Sequence, residues 1–318
     1  MLRHLQELGD RISVPVKPDS EGFLGRECPE QDCLGYFKIT PGTGIKVPAP
    51  CHCPYCGFVG DQNTFSTQEQ IEYAQSYALR EVSNALSSDL REWGSNLSRS
   101  ISGGLLSIKV DVQGKLLPLR YYREKQLETE IVCDQCTLRY AIYGAFGFCP
   151  DCGIHNSLLI LEKNLELASK QLTLTNAAEQ SLADHLVGNA LEDAVSAFDG
   201  FGRETCRIRN AKAADPAKAG NISFQNLAAA KQKVQDLFGV DLECAISAAD
   251  WVFTCRCFQK RHLLAHKMGV VDGGYLNATN DPHAVLGRKI NIQSNEVAAL
   301  LASLRSLGTY LFSQLPAP

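Results

Sequence analysis

Eight cysteines arranged as four pairs constrain this chain more than any other feature. Cys133-x-x-Cys136 and Cys149-Pro-Asp-Cys152-Gly153 lie a dozen residues apart. Upstream, Cys28-Pro-Glu-Gln-Asp-Cys33 is a wider pair, and Cys53-Pro-Tyr-Cys56-Gly57 repeats the Cys-Pro-x-Cys-Gly form. Each pair brackets a tight turn that can aim two thiolates at one point, and two pairs complete the tetrahedral shell that zinc prefers. Two zinc ribbons are therefore expected, with ligands Cys28, Cys33, Cys53 and Cys56 in the first and Cys133, Cys136, Cys149 and Cys152 in the second. Gly153 fits a knuckle turn that needs positive φ. In the first ribbon Cys51 and His52 compete as ligands. Cys53 is preferred because it pairs with Cys56 across two residues. Tyr36–Ile39 and the Ile45-Lys46-Val47 run read as short strands around the Pro41-Gly42 turn.

Paired cysteines also serve disulfide and redox chemistry. Disulfides belong to secreted domains, but Met1–Asp10 has no apolar signal core, and no uninterrupted apolar run reaches membrane-spanning length. A redox Cys-x-x-Cys would not recur as two matched sets. These features predict a cytoplasmic protein without a membrane partner. The remaining Cys206, Cys244, Cys255 and Cys257 lie in apolar helical segments and read as small core residues.

At 318 residues, two or three domains are expected. The formal net charge is −4, and two four-thiolate zinc sites would bring it to roughly −8. The molecule as a whole is not a basic nucleic-acid binder, so any RNA contact must come from a local patch. Between Asp250 and Asp272 no acidic residue occurs, while Arg256, Lys260, Arg261 and Lys267 join His262 and His266. Arg203, Arg207, Arg209 and Lys212 form a second cluster, which reads equally well as a solvated helix terminus. The ribbons carry few cations (Arg26, Lys38 and Lys46 in the first, Arg139 in the second), which favours structural support or protein contact.

The fold class is α+β and multidomain: two small zinc-ribbon β modules joined by a helix, then an all-α helical bundle. The expected divisions are a lead-in over 1–20, ribbon 1 over 21–62 and a connecting helix over 63–100. A β hairpin with ribbon 2 follows over 101–156, and the helical domain occupies 157–318. Ser66-Thr-Gln-Glu69 reads as the capping box of the connecting helix, whose Ile71, Ala74, Ala78, Val82, Leu86, Leu90 and Trp93 keep helical spacing. That helix is expected to link the ribbons and pack on one of them. Leu106–Val112 alternates like a strand, Gln113-Gly114 turns, and Leu116–Tyr122 reads as its hairpin partner. Apolar residues three or four apart predict helices over 158–172, 178–209, 224–238, 245–268 and 294–314. Residues 210–221 read as a polar linker. Val297, Leu300, Leu301, Leu304 and Leu311 form a seam in the last helix, and Trp251, Phe253 and Phe258 read as core or dimer contacts.

One run in the fourth of these helices carries chemistry. Arg261-His262-Leu263-Leu264-Ala265-His266-Lys267 holds a phosphate-clamping arginine and a histidine able to exchange a proton near neutral pH. The same run can also be a solvated polar face at a helix C-terminus, where cations are favoured. With the Gly269-Val-Val-Asp272-Gly-Gly-Tyr275-Leu276 stretch and the last amphipathic helix, it resembles the Arg-polar-x-x-x-His motif of the HEPN superfamily. The resemblance covers roughly the C-terminal half of the chain. It implies an all-helical, dimerising, metal-independent endoribonuclease, with Arg261, His262 and His266 as catalytic residues and Arg256, Lys260 and Lys267 as RNA contacts. His266 would be the general acid/base for attack by the RNA 2′-hydroxyl, and Arg261 would hold the scissile phosphate. His262 departs from the commoner Asn or Asp. Products would be a 2′,3′-cyclic phosphate and a 5′-hydroxyl. Many members are toxins or phage-defence effectors, which implies an antitoxin or defence-system partner. The alternative is a non-catalytic zinc-ribbon/HEPN adaptor that dimerises and binds nucleic acid, nucleotide or protein.

Overall fold

The computed structural model describes residues 2–44, 50–101, 111–112, 117–127 and 129–316. The chain divides into two compact units, Met1–Ile154 and His155–Pro318. The expected strand at 45–47, residues 106–110 of the one expected at 106–112, and the turn at Gln113-Gly114 lie outside the described residues, while Asp111 and Val112 are described and in no strand. Leu117–Tyr122 is described and is in no strand, so it does not form the hairpin partner that alternation predicts.

The first unit opens with the short helix α1 (Arg3–Glu7), followed by β1 (Leu24–Glu27), β2 (Tyr36–Ile39), β3 (Cys51–His52) and β4 (Val59–Gly60). After them come the long helix α2 (Gln68–Ile101), then β5 (Thr129–Val132) and β6 (Arg139–Ile142). The two cysteine hairpins are not separate modules. They share one antiparallel sheet of order β1-β2-β6-β5, joined where Lys38 faces Ala141 and Ile39 faces Tyr140. Phe23, Phe37, Ile131, Tyr140 and Ile142 are buried in this unit, and Phe37 meets Phe65 edge-on at 5.8 Å. Lys38 is buried too, and Asp19 neutralises it at 2.8 Å.

The capping box of α2 lies one residue beyond the Ser66/Glu69 pair. Thr67 Oγ1 accepts from the Gln70 amide, and Gln70 Oε1 accepts from the Thr67 amide. Ser66 instead donates to the Asn63 carbonyl of the preceding turn. The regular apolar spacing along α2 does not describe a buried face. Ile71, Val82, Leu86 and Leu90 are exposed, as are Leu79 at 62% and Trp93 at 59%.

The second unit is helical: α3 (Ser157–Leu174), α4 (Gln180–Ile208), the short α5 (Pro216–Ala219), α6 (Leu227–Phe238), α7 (Ala248–Lys267), α8 (Gly273–Thr279) and α9 (Ser294–Gln314). Leu161 and Leu165 of α3, Leu191, Phe198 and Phe201 of α4, and the expected α9 seam close one core. Trp251 and Phe258 of α7 belong to it. Two helices start later than apolar spacing predicts because caps decide the start. Asn226 accepts from the Ala229 amide ahead of α6, and Ser247 accepts from the Asp250 amide ahead of α7.

Near the start of this unit, His155 Nε2 lies 3.3 Å from Glu204, which Arg207 grips with a fork of two 2.7 Å bonds. Burial pushes the imidazole of His155 down, against the opposing pull of Glu204. Burial alone would raise the Glu204 carboxyl, but Arg207 and His155 outweigh it and bring it to about 2. A carboxyl depressed from its ordinary 4.5 contributes stability above that pH, lost as pH falls from about 4.5 towards 2. Glu204→Gln is expected to cost on the order of 2 kcal/mol at pH 7, with the gap from wild type narrowing below pH 4.5. Urea denaturation at pH 7 and pH 3.5 measures both; a gap that does not narrow would show that the ionised form contributes nothing.

Candidate functional site

Two tetra-cysteine groups are brought together, and they are the eight residues the spacing selects: Cys28, Cys33, Cys53 and Cys56, and Cys133, Cys136, Cys149 and Cys152. Sulfur–sulfur separations are 3.6 Å for Cys28–Cys56 and 3.7 Å for Cys33–Cys53. In the second group they are 3.6 Å for Cys133–Cys152 and 3.5 Å for Cys136–Cys149. A tetrahedron with metal–sulfur distances near 2.3 Å has an edge of about 3.8 Å, so the thiols fit a metal and stand too far apart for disulfides. The backbone prepares each knuckle in the same way. Leu34 and Thr137, each directly after a cysteine, adopt left-handed conformations, and so do Gly57 and Gly153 after the second cysteine of each Cys-Pro-x-Cys pair. A side chain at Gly153 would also collide with the His52 ring, whose nearest atoms lie 2.8 Å from where a Cβ would stand.

Cys51 is not in the first group. Its thiol is fully buried in β3, where burial pushes it up to about 12 and keeps it protonated. The two knuckles are tied together by main-chain bonds from His52 to Pro150 and from Phe148 to Pro54, each 2.8 Å. A third cluster, His4, Asp89 and Glu92, also lies within ligating distance. Its Asp89 carboxylate already accepts the amides of His4 and Leu5 at 2.9 and 3.0 Å.

On α7, His262 and His266 sit one turn apart with ring centroids 4.7 Å from each other, and both are exposed. Arg261 is half-buried, and its Nε has no hydrogen-bond partner among the described residues. Lys267 is exposed in the last turn. Met268 and Gly269 then reverse the chain through left-handed conformations, and the Met268 and Gly269 amides both bond the Leu263 carbonyl. The following strand-like segment pairs Val271 with Arg288 and Gly287, and Asp272 caps α8. This rigid corner fixes the end of α7 that carries the histidines.

The other cations of α7 turn inward. Lys260 is 5% exposed and bonds Glu296 at 2.8 Å and the Asn291 carbonyl at 3.1 Å. Buried Asp281 accepts from the Tyr275 hydroxyl at 2.7 Å. Burial would raise its carboxyl, but Tyr275, the His283 amide and the charges of Arg256 and Lys260 bring it below the ordinary value. Arg256 and Lys260 thus balance interior carboxylates, and Lys260 has no free charge for RNA. Their partners lie 21 or more residues downstream, so no local pattern reveals them. The second basic cluster is also engaged. Arg203 pairs with Asp199, Arg207 with Glu204, and buried Arg209 stacks over Phe312 at 4.5 Å.

Among the described residues no helix is long and apolar enough to cross a membrane. No family model, curated protein or solved structure matches the chain.

Proposed function

We propose that the protein is a metal-independent endoribonuclease of the HEPN type whose N-terminal unit is a fused pair of zinc ribbons. The observation that carries this reading is the end of α7, where two exposed imidazoles one turn apart follow a half-buried arginine whose Nε has no partner among the described residues. His266 accepts the proton of the RNA 2′-hydroxyl as that oxygen attacks phosphorus. Arg261 holds the phosphate while the bond to the 5′-oxygen breaks and that oxygen takes up a proton. The products are a 2′,3′-cyclic phosphate and a 5′-hydroxyl. His262 orients its neighbour, and Lys267 adds charge at the rim.

One α7 brings its arginine and histidine together poorly, so two copies form the cleft across a two-fold axis. An apolar patch suits that contact. Met268 is 82% exposed, and Val270, Val285 and Leu286 are exposed around the same corner. Single-stranded RNA incubated with the full-length protein, without added divalent metal, should yield fragments ending in cyclic phosphate. Intact RNA under all such conditions would favour the non-catalytic adaptor.

Zinc is the ion we assign to both thiolate groups, on the four-sulfur donor set and its tetrahedral spacing. Elemental analysis should find two zinc ions per chain. Cys51→Ser should leave that count at two, since Cys51 lies outside the four-sulfur group and its thiol meets the His52 carbonyl at 3.9 Å. Loss of one zinc in that variant would show that Cys51 is a ligand after all.

A further inference from the structure

The first unit holds a cavity of about 460 Å³ between the lead-in, α2 and residues 121–124. Its apolar surface is aromatic and proline-rich: Pro15, Pro18, Tyr73, Tyr121 and Tyr122. Tyr73 and Tyr122 meet edge-on, with centroids 5.5 Å apart, which fixes both rings. Tyr121 is 83% exposed and leaves its face free.

The charges of the lining are unevenly engaged. Asp19 is bonded to Lys38 and to the amides of Glu21 and Phe23. Glu124 accepts from the Tyr36 hydroxyl and from Gln70, with the Arg26 charge close by. Lys17 and Arg123 have no carboxylate partner among the described residues and remain exposed. The cavity therefore offers aromatic faces beside two uncompensated cations.

We propose that this cavity binds an unstacked base and adjoining phosphates of single-stranded RNA, making the zinc-ribbon unit the module that captures the substrate. The choice of RNA rests on the ribonuclease reading of the helical unit. Aromatic faces accept any base, and lysine and arginine follow the phosphate chain, the combination used for single strands. A proline-rich peptide would use the tyrosines but leave both cations without a counter-charge, so the charge pattern favours the nucleotide. The volume suits a ligand of nucleotide size.

The test uses full-length, zinc-loaded protein carrying His266→Ala, so that the probe survives, and a fluorescent 12-nucleotide oligouridine read by anisotropy. Tyr121→Ala should weaken binding by about tenfold to a hundredfold, the effect of losing one stacked base. Lys17→Ala with Arg123→Ala should weaken it further and flatten the dependence of log affinity on log salt by about 0.7 per lost phosphate contact. Tyr121, Lys17 and Arg123 lie on the surface, so the variants should keep the zinc content and circular dichroism of the parent. Unchanged oligouridine binding in all of them overturns the cavity assignment, and cutting by the unsubstituted chain would then leave the nuclease reading standing. Cavity-dependent binding without any cutting upholds the cavity and removes the nuclease. Binding of a decaproline peptide that depends on Tyr121, with none of oligouridine, assigns the cavity to peptide and overturns the proposal.

Discussion

Cys149→Ser is expected to cost the chain the metal of both thiolate groups and to unfold the whole Met1–Ile154 unit, including the first ribbon. Cys149 is buried and shares its group with Cys133, Cys136 and Cys152, so a serine there leaves three thiolates and an open corner. Structural zinc sites contribute about 10–16 kcal/mol of apparent binding free energy, which is folding free energy in a small domain. That exceeds the typical margin of about 5–15 kcal/mol for a native domain, or consumes most of it. The loss should not stay local. Strand β6 leaves the second knuckle and pairs with β2 of the first, and the two Cys-Pro-x-Cys loops bond each other through Pro54 and Pro150. The helical unit should persist, because Leu165, Phe198 and Leu304 lie in a core of its own. Limited proteolysis should therefore trim the variant to a fragment beginning near residue 155, with elemental analysis reporting less than one zinc per chain. Retention of the first zinc together with a protease-resistant 21–62 segment would show that the ribbons fold separately despite sharing a sheet.

Local chemistry made the ligands legible, and distance in sequence hid the rest. The Cys-Pro-x-Cys-Gly pattern is self-contained within five residues, so Cys53, Cys56, Cys149 and Cys152 could be placed on sight. The pairing of Lys38 with Ala141 joins segments about a hundred residues apart, and no short-range pattern announces it. Likewise, left-handed backbone at Leu34 and Thr137 is not a preference of either residue. The turn that gathers each cysteine pair imposes it. Helical periodicity located all five long helices of the second unit, since each buries an apolar stripe. On α2 the same periodicity misled, because Val82 and Trp93 keep helical spacing while facing solvent. Charge patterning failed in a related way. A stretch without acidic residues looks like an open cationic surface, yet Lys260 finds Glu296 and Arg256 lies near Asp281 once α9 and the α8 loop fold back.

His266→Ala should lower the rate of RNA cleavage by roughly 10²–10⁴, the usual contribution of a general acid/base. His266 is exposed at the end of α7, so removing its ring should leave zinc content, circular dichroism and oligomeric state unchanged. Arg261→Ala should do comparable damage for a different reason. In the proposed site the half-buried guanidinium makes no ion pair among the described residues, so its charge is not spent on a carboxylate. Removing it leaves the growing charge on the phosphate unmet. Arg261→Lys should rescue only part of the rate, because an ammonium supplies the charge without the planar fork. His262→Asn should be mild, since it keeps a polar donor one turn from His266 on the same helix. Lys260→Ala should instead show its effect in stability, because its charge is spent on Glu296 inside the bundle. Measured side by side on single-stranded RNA, these variants separate a catalytic corner from a solvated helix end. Cleavage that survives both His266→Ala and Arg261→Ala would place the active site elsewhere, whereas loss in both with the fold intact leaves the end of α7 as the place where RNA is cut.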